Sequence, residues 1–135
     1  MLYPRTEFGY GETMARAFHT VVFKDQLNGN VPVHSSPELS ETLGRADQLS
    51  FTTHVVNGGG GTAPKITVEV LGSNDGVNWA LIGTAVDRSI TGNGPQTWAD
   101  DTGSMVLSAW LQLSIKLANA DNAAFATVSV CGRSN

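Results

Sequence analysis

The stretch "VEVLGSNDGVNWALIG", residues 68–83, places a short polar cluster between two apolar runs. Apolar and polar residues alternate in the first run, and this is the period of a β-strand, whose successive side chains point to opposite faces. The run extends back to Lys65, and its alternating apolar positions are Ile66, Val68 and Val70. Residues 74–76, Asn-Asp-Gly, are typical of a tight reversal, because Gly adopts a positive φ and Asn and Asp bond to the nearby backbone. The stretch therefore predicts a β-hairpin.

The period of two recurs along the chain. Residues 17–27, 48–56 and 124–133 are rich in β-branched or alternating apolar residues, and each segment predicts a strand. The longest pattern is 105–118, where a helix would instead bury positions i, i+3 and i+4. Its alternating positions are Met105, Leu107, Ala109, Leu111, Leu113, Ile115 and Leu117. Strands separated by Gly, Asn and Asp turns, without a convincing helix, predict an all-β fold, an antiparallel β-sandwich of jelly-roll type.

The first residues follow neither strand nor helix periodicity. Residues 1–16 contain two glycines, a proline and the separated aromatics Tyr3, Phe8 and Tyr10. This composition predicts an extended N-terminal arm, followed by a single β-sandwich domain over residues 17–135.

Two later segments are predicted to lie between strands. Residues 31–47 contain prolines at positions 32 and 37 and are predicted to be irregular. Residues 57–64, "NGGGGTAP", resemble a phosphate-binding loop in glycine content, but neither a Lys-Ser/Thr pair nor a helix follows them. We therefore expect a flexible hairpin loop there.

The charge content narrows the classes of partner. Charged residues make up 15% of the 135 residues, against about 25% in an average soluble domain. The net charge is -4, and the eight basic residues are scattered, which argues against nucleic-acid binding. No run approaches the roughly 18 apolar residues of a membrane helix, and the N-terminus lacks the apolar core of a secretory signal. We expect a protein that is made in the cytoplasm and does not bind membranes.

No residue pattern points to catalysis or to a cofactor. The single cysteine, Cys131, excludes an intrachain disulfide and is predicted to be a small buried residue. Asp100 and Asp101 carry oxygen ligands, but adjacent side chains point apart on an extended chain, so they do not predict a calcium site. The histidines match no zinc-ligand spacing; they are His19, His34 and His54. We expect no enzymatic activity, no metal and no cofactor.

The three tryptophans leave a sugar-binding alternative open, because exposed aromatic rings stack on sugars. Trp79 follows the predicted turn and is expected to insert behind it as a core anchor that sets the register of the hairpin. Trp110 lies opposite the leucines of its strand, so it is either exposed or covered by the arm or a partner. The third tryptophan is Trp98.

A family resemblance is carried by Ser73, Asp75, Gly76 and Trp79, which form the pattern S-x-D-G-x-x-W. The pattern resembles that of discoidin modules (coagulation factor 5/8 type C) and is similar to hairpins of small β-sandwich virion proteins in tailed bacteriophages. It spans about 16 of the 135 residues. The resemblance implies a β-sandwich in which these four residues shape a structural hairpin.

The virion alternative is favoured by the low charge, by the aromatic arm and by a chain that begins at Met1 and ends soon after its last predicted strand. We expect a capsid decoration (cement) protein, a homotrimer on the capsid surface that bridges major capsid protein subunits. Tyr3, Phe8 and Tyr10 are the expected partner-binding residues of the arm. The alternatives are a tail, head-fibre or adaptor protein of the virion, and a carbohydrate- or lipid-binding discoidin-like module.

Overall fold

The computed structural model describes residues 16–28, 33–34 and 47–134, and all the regular structure in these ranges is β-strand. The strands in chain order are β1 (Arg16–Leu27), β2 (Val33–His34), β3 (Gln48–Asn57), β4 (Lys65–Ser73), β5 (Ala80–Ser89), β6 (Gln96–Asp101), β7 (Trp110–Ala118) and β8 (Ala124–Ser134). The predicted arm, apart from Arg16, lies outside the described residues.

The strands form two four-stranded sheets that pack face to face. Sheet 1 has the order β1-β8-β3-β6, sheet 2 has the order β2-β7-β4-β5, and every pairing is antiparallel. Consecutive strands alternate between the sheets, except for β4 and β5, which pair with each other. This eight-stranded arrangement is a jelly roll. The predicted all-β jelly-roll sandwich is confirmed.

The core lies between the two sheets and follows the alternation of the sequence. In β3, Leu49, Phe51, Thr53 and Val55 are buried, as their period of two predicts. The buried apolar residues of β4 and β7 face them from sheet 2: Ile66, Val68, Val70, Leu111, Leu113, Ile115 and Leu117. Burial of each large apolar side chain stabilises the fold by roughly 1.5–3 kcal/mol.

The segment 105–109 differs from its prediction. The strand β7 begins at Trp110, so the first five residues of the alternating pattern are not in a strand. Met105 is half-buried and packs against Gly83, where an added Cβ would lie 2.8 Å from the Met105 Cε atom. Met105 and Leu107 of this segment therefore pack against the core although the segment is not in a strand.

Two other predictions about connections are wrong. The glycine-rich residues 57–64 join β3 of sheet 1 to β4 of sheet 2, so they are not a hairpin loop. Local sequence could not show this, because the neighbours of each strand in its sheet are distant in the chain. The proline-containing residues 31–47, predicted as irregular, contain the two-residue strand β2.

One ion pair joins the edge strands of the two sheets. Arg88 of β5 donates from Nη2 to Asp100 Oδ1 of β6 at 2.7 Å and from Nε to Asp100 Oδ2 at 3.2 Å. These hydrogen bonds and the carboxylate charge raise the pKa of Arg88 above its ordinary value. Asp101 accepts a bond from Gly103 N at 2.9 Å, so Asp100 and Asp101 serve different partners, as the extended chain predicts.

Candidate functional site

The turn between β4 and β5 is organised by two side-chain acceptors. Ser73 Oγ accepts a hydrogen bond from Gly76 N at 2.9 Å and donates to Asp75 Oδ1 at 2.8 Å. Asp75 Oδ1 also accepts from the backbone N of Val77 and of Asn78, each at 2.8 Å. Gly76 has a φ of 74°, the left-handed conformation that glycine adopts without strain. The S-x-D-G pattern is therefore a set of local bonds that define the turn.

These donors act together on the carboxyl group of Asp75. The backbone N–H groups of Asn78 and Val77, followed by the Asn78 amide and the Ser73 hydroxyl, hold the pKa of Asp75 well below its ordinary value. This surface carboxyl group therefore stays ionised at a lower pH than an ordinary aspartate does. Its acceptor oxygens serve the turn itself, which is a structural use of the charge.

The tryptophans near this turn have roles other than those predicted. The Trp110 ring lies over Gly76, with ring atoms 3.5–3.7 Å from the position of an added Cβ. Asn74 Oδ1 accepts a bond from Ala109 N at 3.1 Å, which ties the turn to the segment before β7. Trp79 is half-buried and lies outside the core cluster, whereas Trp98 packs against the core cluster. Trp79 is therefore not the predicted core anchor.

The loops collect at two ends of the sandwich. The valine end comprises the turn 74–79 and the connection 102–109, together with the starts of β1 and β5. The asparagine end comprises the loops 58–64, 90–95 and 119–123. Antiparallel pairing places these groups at opposite ends, because each sheet runs from one group to the other.

The valine end displays apolar side chains to solvent. Val106 is 86% exposed and Val77 is 76% exposed, and Leu81 at the start of β5 is 57% exposed. Val77 lies on the bonded turn, since its own N–H is the donor to Asp75. Contiguous exposed apolar patches mark interaction sites on soluble proteins, and these three side chains lie at one end of the sandwich. The valine end is therefore the candidate functional site.

The sequence patterns indicate the arm and the tryptophans as candidate binding residues, and they do not indicate the valine end. The proposed arm contacts Tyr3, Phe8 and Tyr10 lie outside the described residues. Two details of the sequence are consistent with the site. Val77 is an apolar residue inside a polar turn, and Val106 is an apolar residue between two positions of the alternating pattern, Met105 and Leu107. Neither shows by itself that the side chain is exposed.

Other candidate residues take part in the sheet structure. His54 Nδ1 lies 2.7 Å from Thr97 Oγ1 on the outer face of sheet 1. Cys131 lies on the same face and is half-buried, so the prediction of a buried cysteine is wrong. The reason is that its neighbours Val130 and Gly132 occupy the inward positions of the strand. In the described part of the chain, no three His, Cys, Asp or Glu side chains are grouped so as to hold a metal ion.

Within the same ranges, the structure contains no helix long and apolar enough to cross a membrane.

Comparison with known proteins identifies the fold class. No protein-family model and no curated protein matches the chain. Among solved structures, the C-terminal family 22 carbohydrate-binding module of Clostridium thermocellum Xyn10B matches with a TM-score of 0.55 at 6% identity, covering 92% of this chain and 84% of the module. These values show a shared β-sandwich fold and do not extend to function.

Two further similar structures have lower TM-scores. A chain of infectious bursal disease virus, Gx strain, has a TM-score of 0.48 at 14% identity, with 98% of this chain covered. This chain spans 37% of the length of that viral chain. The C-terminal domain of EclA, a sugar-binding protein, has a TM-score of 0.40 at 13% identity, covering 92% of this chain and 83% of that domain. Neither of these two likenesses adds to the fold class, a jelly-roll β-sandwich, which follows from the strand order.

Proposed function

We propose that the chain is a non-enzymatic structural protein of a virion, namely a capsid decoration protein of a tailed bacteriophage. The observation that carries the proposal is the exposed apolar surface of the valine end. Val77 and Val106, at 76% and 86% exposure, leave apolar surface in water that a partner would cover. Covering such surface with a partner contributes about 25 cal/mol per Å².

The turn that carries Val77 suits a surface used for docking. The Asp75 carboxylate bonds the backbone on both sides of the exposed side chain, at Val77 N and Asn78 N. A side chain on a preorganised turn loses less conformational entropy on binding than one on a free loop. The bonded turn therefore supports a rigid contact with a large surface such as a capsid shell.

The partner we propose is the major capsid protein, contacted by a homotrimer of this chain. The strand β1 begins at the valine end, because Arg16 pairs with Ser134. Residues 1–15 therefore precede a strand that begins at this end of the sandwich, on the edge of sheet 1 away from β6. Tyr3, Phe8 and Tyr10 are the arm residues proposed to contact the partner. Small contact energies per copy would add up over the many copies on one shell.

The first experiment measures binding of the full chain to empty mature capsids of the phage that encodes it. We expect the wild-type protein to co-sediment with the capsids and to raise their melting temperature. The variant Val77→Asp/Val106→Asp should lose this binding while its own melting temperature stays unchanged. The matched control, Thr62→Asp, adds negative charge at the exposed asparagine end and should bind as the wild type does.

Several outcomes would contradict the proposal. Equal capsid binding by the valine-end variant would show that another surface is used. Binding to isolated tails or fibres instead of capsids would favour a tail, head-fibre or adaptor protein. Binding to lipid vesicles, lost in the same variant, would favour a lipid-binding module. The trimer is tested by the solution mass, expected at three times 14.2 kDa.

A further inference from the structure

A second surface lies away from the valine end, on the outer face of sheet 1 where β8 begins. It is a groove of about 370 Å³. The groove is lined by Lys24, Asp25, His54, Val56, Phe125, Ala126 and Thr127. Phe125 is 57% exposed although it lies in a strand, and its neighbours Ala124 and Ala126 are buried. Phe125 therefore places a large aromatic side chain on the solvent-facing side of a paired strand.

The register of the sheet arranges the groove floor in two rows. Phe125 lies opposite Val56 and forms an apolar row. Two residues further along β8, Thr127 lies between His54 of β3 and Lys24 of β1 and forms a row of hydrogen-bonding side chains. Neighbouring strands are about 4.8 Å apart, and successive side chains on one face are roughly 7 Å apart. The floor therefore offers an apolar strip beside a polar strip over roughly the size of one sugar ring.

One side chain of the polar row, His54, is held in place before any ligand binds. His54 Nδ1 lies 2.7 Å from Thr97 Oγ1, which orients the imidazole. The side chains of both rows stand on paired strands, so the groove is preformed, as small-molecule sites usually are. Its volume is at the lower end of the range of such sites, which run from about 300 to 1,000 Å³.

We propose that this groove binds a neutral saccharide. A sugar ring presents C–H groups on one face and hydroxyl groups at its rim, which match an aromatic side chain beside hydrogen-bond donors and acceptors. The groove holds one cation and one carboxylate, Lys24 and Asp25, so it offers no excess charge for an ionic ligand. A purely apolar partner would leave the groups of the polar row without hydrogen bonds, at a cost of about 1–3 kcal/mol for each buried group.

This site is independent of the proposed capsid contact, because the two surfaces lie at opposite ends of the sandwich. A decoration protein seated through its valine end would leave the Phe125 groove accessible to a glycan. The inference therefore adds a binding activity that does not require the virion proposal to be correct.

The test uses the full chain labelled with ¹⁵N and titrated with cellohexaose, xylohexaose, maltohexaose and chitohexaose, each to 10 mM. We expect at least one to shift the amide signals of Thr127, His54 and Phe125, with a Kd of about 1 mM or tighter. Phe125→Ala should weaken binding at least tenfold, and Thr127→Val should weaken it by a smaller factor. The matched control Val21→Ala, an exposed apolar residue of the same sheet outside the groove, should leave the affinity unchanged.

The proposal is overturned if none of the four oligosaccharides shifts these signals, or if Phe125→Ala binds as well as the wild type. It is also overturned if Phe125→Ala weakens capsid binding, since the groove would then be a protein contact. Melting temperatures of both groove variants show whether a loss of binding reflects unfolding. Sugar binding without capsid binding would contradict the decoration function and leave this site intact.

Discussion

The two ends of the sandwich use similar polar loop residues and yet present different surfaces. At the asparagine end, Asn93 joins two loops: its O accepts from Asn57 N at 3.1 Å, and its Oδ1 accepts from Gly59 N at 2.9 Å. Asp121 Oδ2 accepts from Gly61 N at 2.8 Å and ties in the third loop. None of the loop residues at this end that the structure describes is an exposed large hydrophobic. These hydrogen bonds connect the loops of the asparagine end to one another.

At the valine end, the same chemistry holds an apolar side chain outward. Asp75 bonds the turn as Asp121 bonds the glycine loop, but the turn presents Val77 and the neighbouring connection presents Val106. A hydrogen bond from the backbone to an aspartate side chain occurs at both ends, so such a bond does not by itself indicate function. What differs is the side chain that the bonded backbone displays, and the contact surface proposed above rests on this difference.

The largest expected effect comes from breaking the asparagine end at Gly61. Its φ is 72°, and a Cβ there would clash with the backbone O of Asn119. Gly61→Ala should therefore lower the free energy of unfolding by about 3 kcal/mol, through backbone strain and steric overlap together. Urea unfolding measures the change.

Two control glycines in the 90–95 loop separate the causes. Gly92→Ala keeps the strain without the overlap, since its φ is 78° and nothing lies within 4 Å; we expect a loss of about 1 kcal/mol. Gly94→Ala has neither feature and should be close to neutral. Similar losses in all three variants would contradict the assigned causes.

A smaller effect is expected at the valine end, where the buried Thr102 anchors the connection 102–109. Its Oγ1 accepts from Leu49 N at 3.0 Å. Thr102→Val leaves that buried N–H without its partner, so the free energy of unfolding should fall by about 2 kcal/mol.

The matched variant is Thr53→Val in the core, because Thr53 Oγ1 is buried and has no hydrogen-bond partner. Removing an unsatisfied hydroxyl at constant shape should raise the free energy of unfolding by about 1 kcal/mol. The two Thr→Val changes should therefore have opposite signs in denaturant unfolding. A loss at Thr53 would mean that its hydroxyl has a partner in solution.

The next prediction concerns pH. The folded pKa of Asp75 lies below its unfolded value of about 3.9. The stability that it contributes is therefore fully present above the unfolded pKa and is lost as pH falls toward the folded pKa. Asp75→Asn should lower the melting temperature at pH 7, and its difference from wild type should shrink below pH 4.

Asp75→Glu tests whether charge alone is sufficient. It keeps the carboxylate but shifts its oxygens away from Val77 N and Asn78 N, so it should also lower the melting temperature at pH 7. A wild-type melting temperature in Asp75→Glu would show that the local hydrogen-bond geometry is unimportant. A pH-independent difference for Asp75→Asn would show that ionisation of Asp75 is not the cause.

The smallest effect on stability is expected at Val106 itself. A side chain 86% exposed contributes little to the core, so Val106→Asp should change the free energy of unfolding by no more than about 0.5 kcal/mol. Thermal unfolding of the isolated protein checks this. A large loss would mean that Val106 is a folding residue and would remove it from the proposed contact surface.

Much of the fold could be predicted because strand polarity is local. Alternation predicted β3, β4 and β8, and for β3 and β4 also the inward side. The Asn-Asp-Gly cluster predicted the turn of the one hairpin between consecutive described strands. Alternation failed at residues 105–109, where apolar residues cover the end of the core outside any strand. Period two reports which residues face the core, and it does not report whether the chain is paired with a neighbour.

The candidate site could not be predicted in the same way. Nothing near Val77 or Val106 in the chain shows that both lie at one end of the sandwich, 29 positions apart in the sequence. The Phe125 groove likewise requires β1, β8 and β3 side by side, although these strands are far apart in the chain. Exposure and grouping depend on strand order, which local patterns do not contain.

The amino-acid sequence by itself determined the all-β class, the inward residues and the hairpin turn, because each depends on interactions between residues a few positions apart. Tertiary structure alone decided which sheet each strand joins, which side chain packs over Gly76 and which apolar residues remain outside the core. These depend on long-range packing: the Trp110 ring covers Gly76 only once β7 lies beside β4.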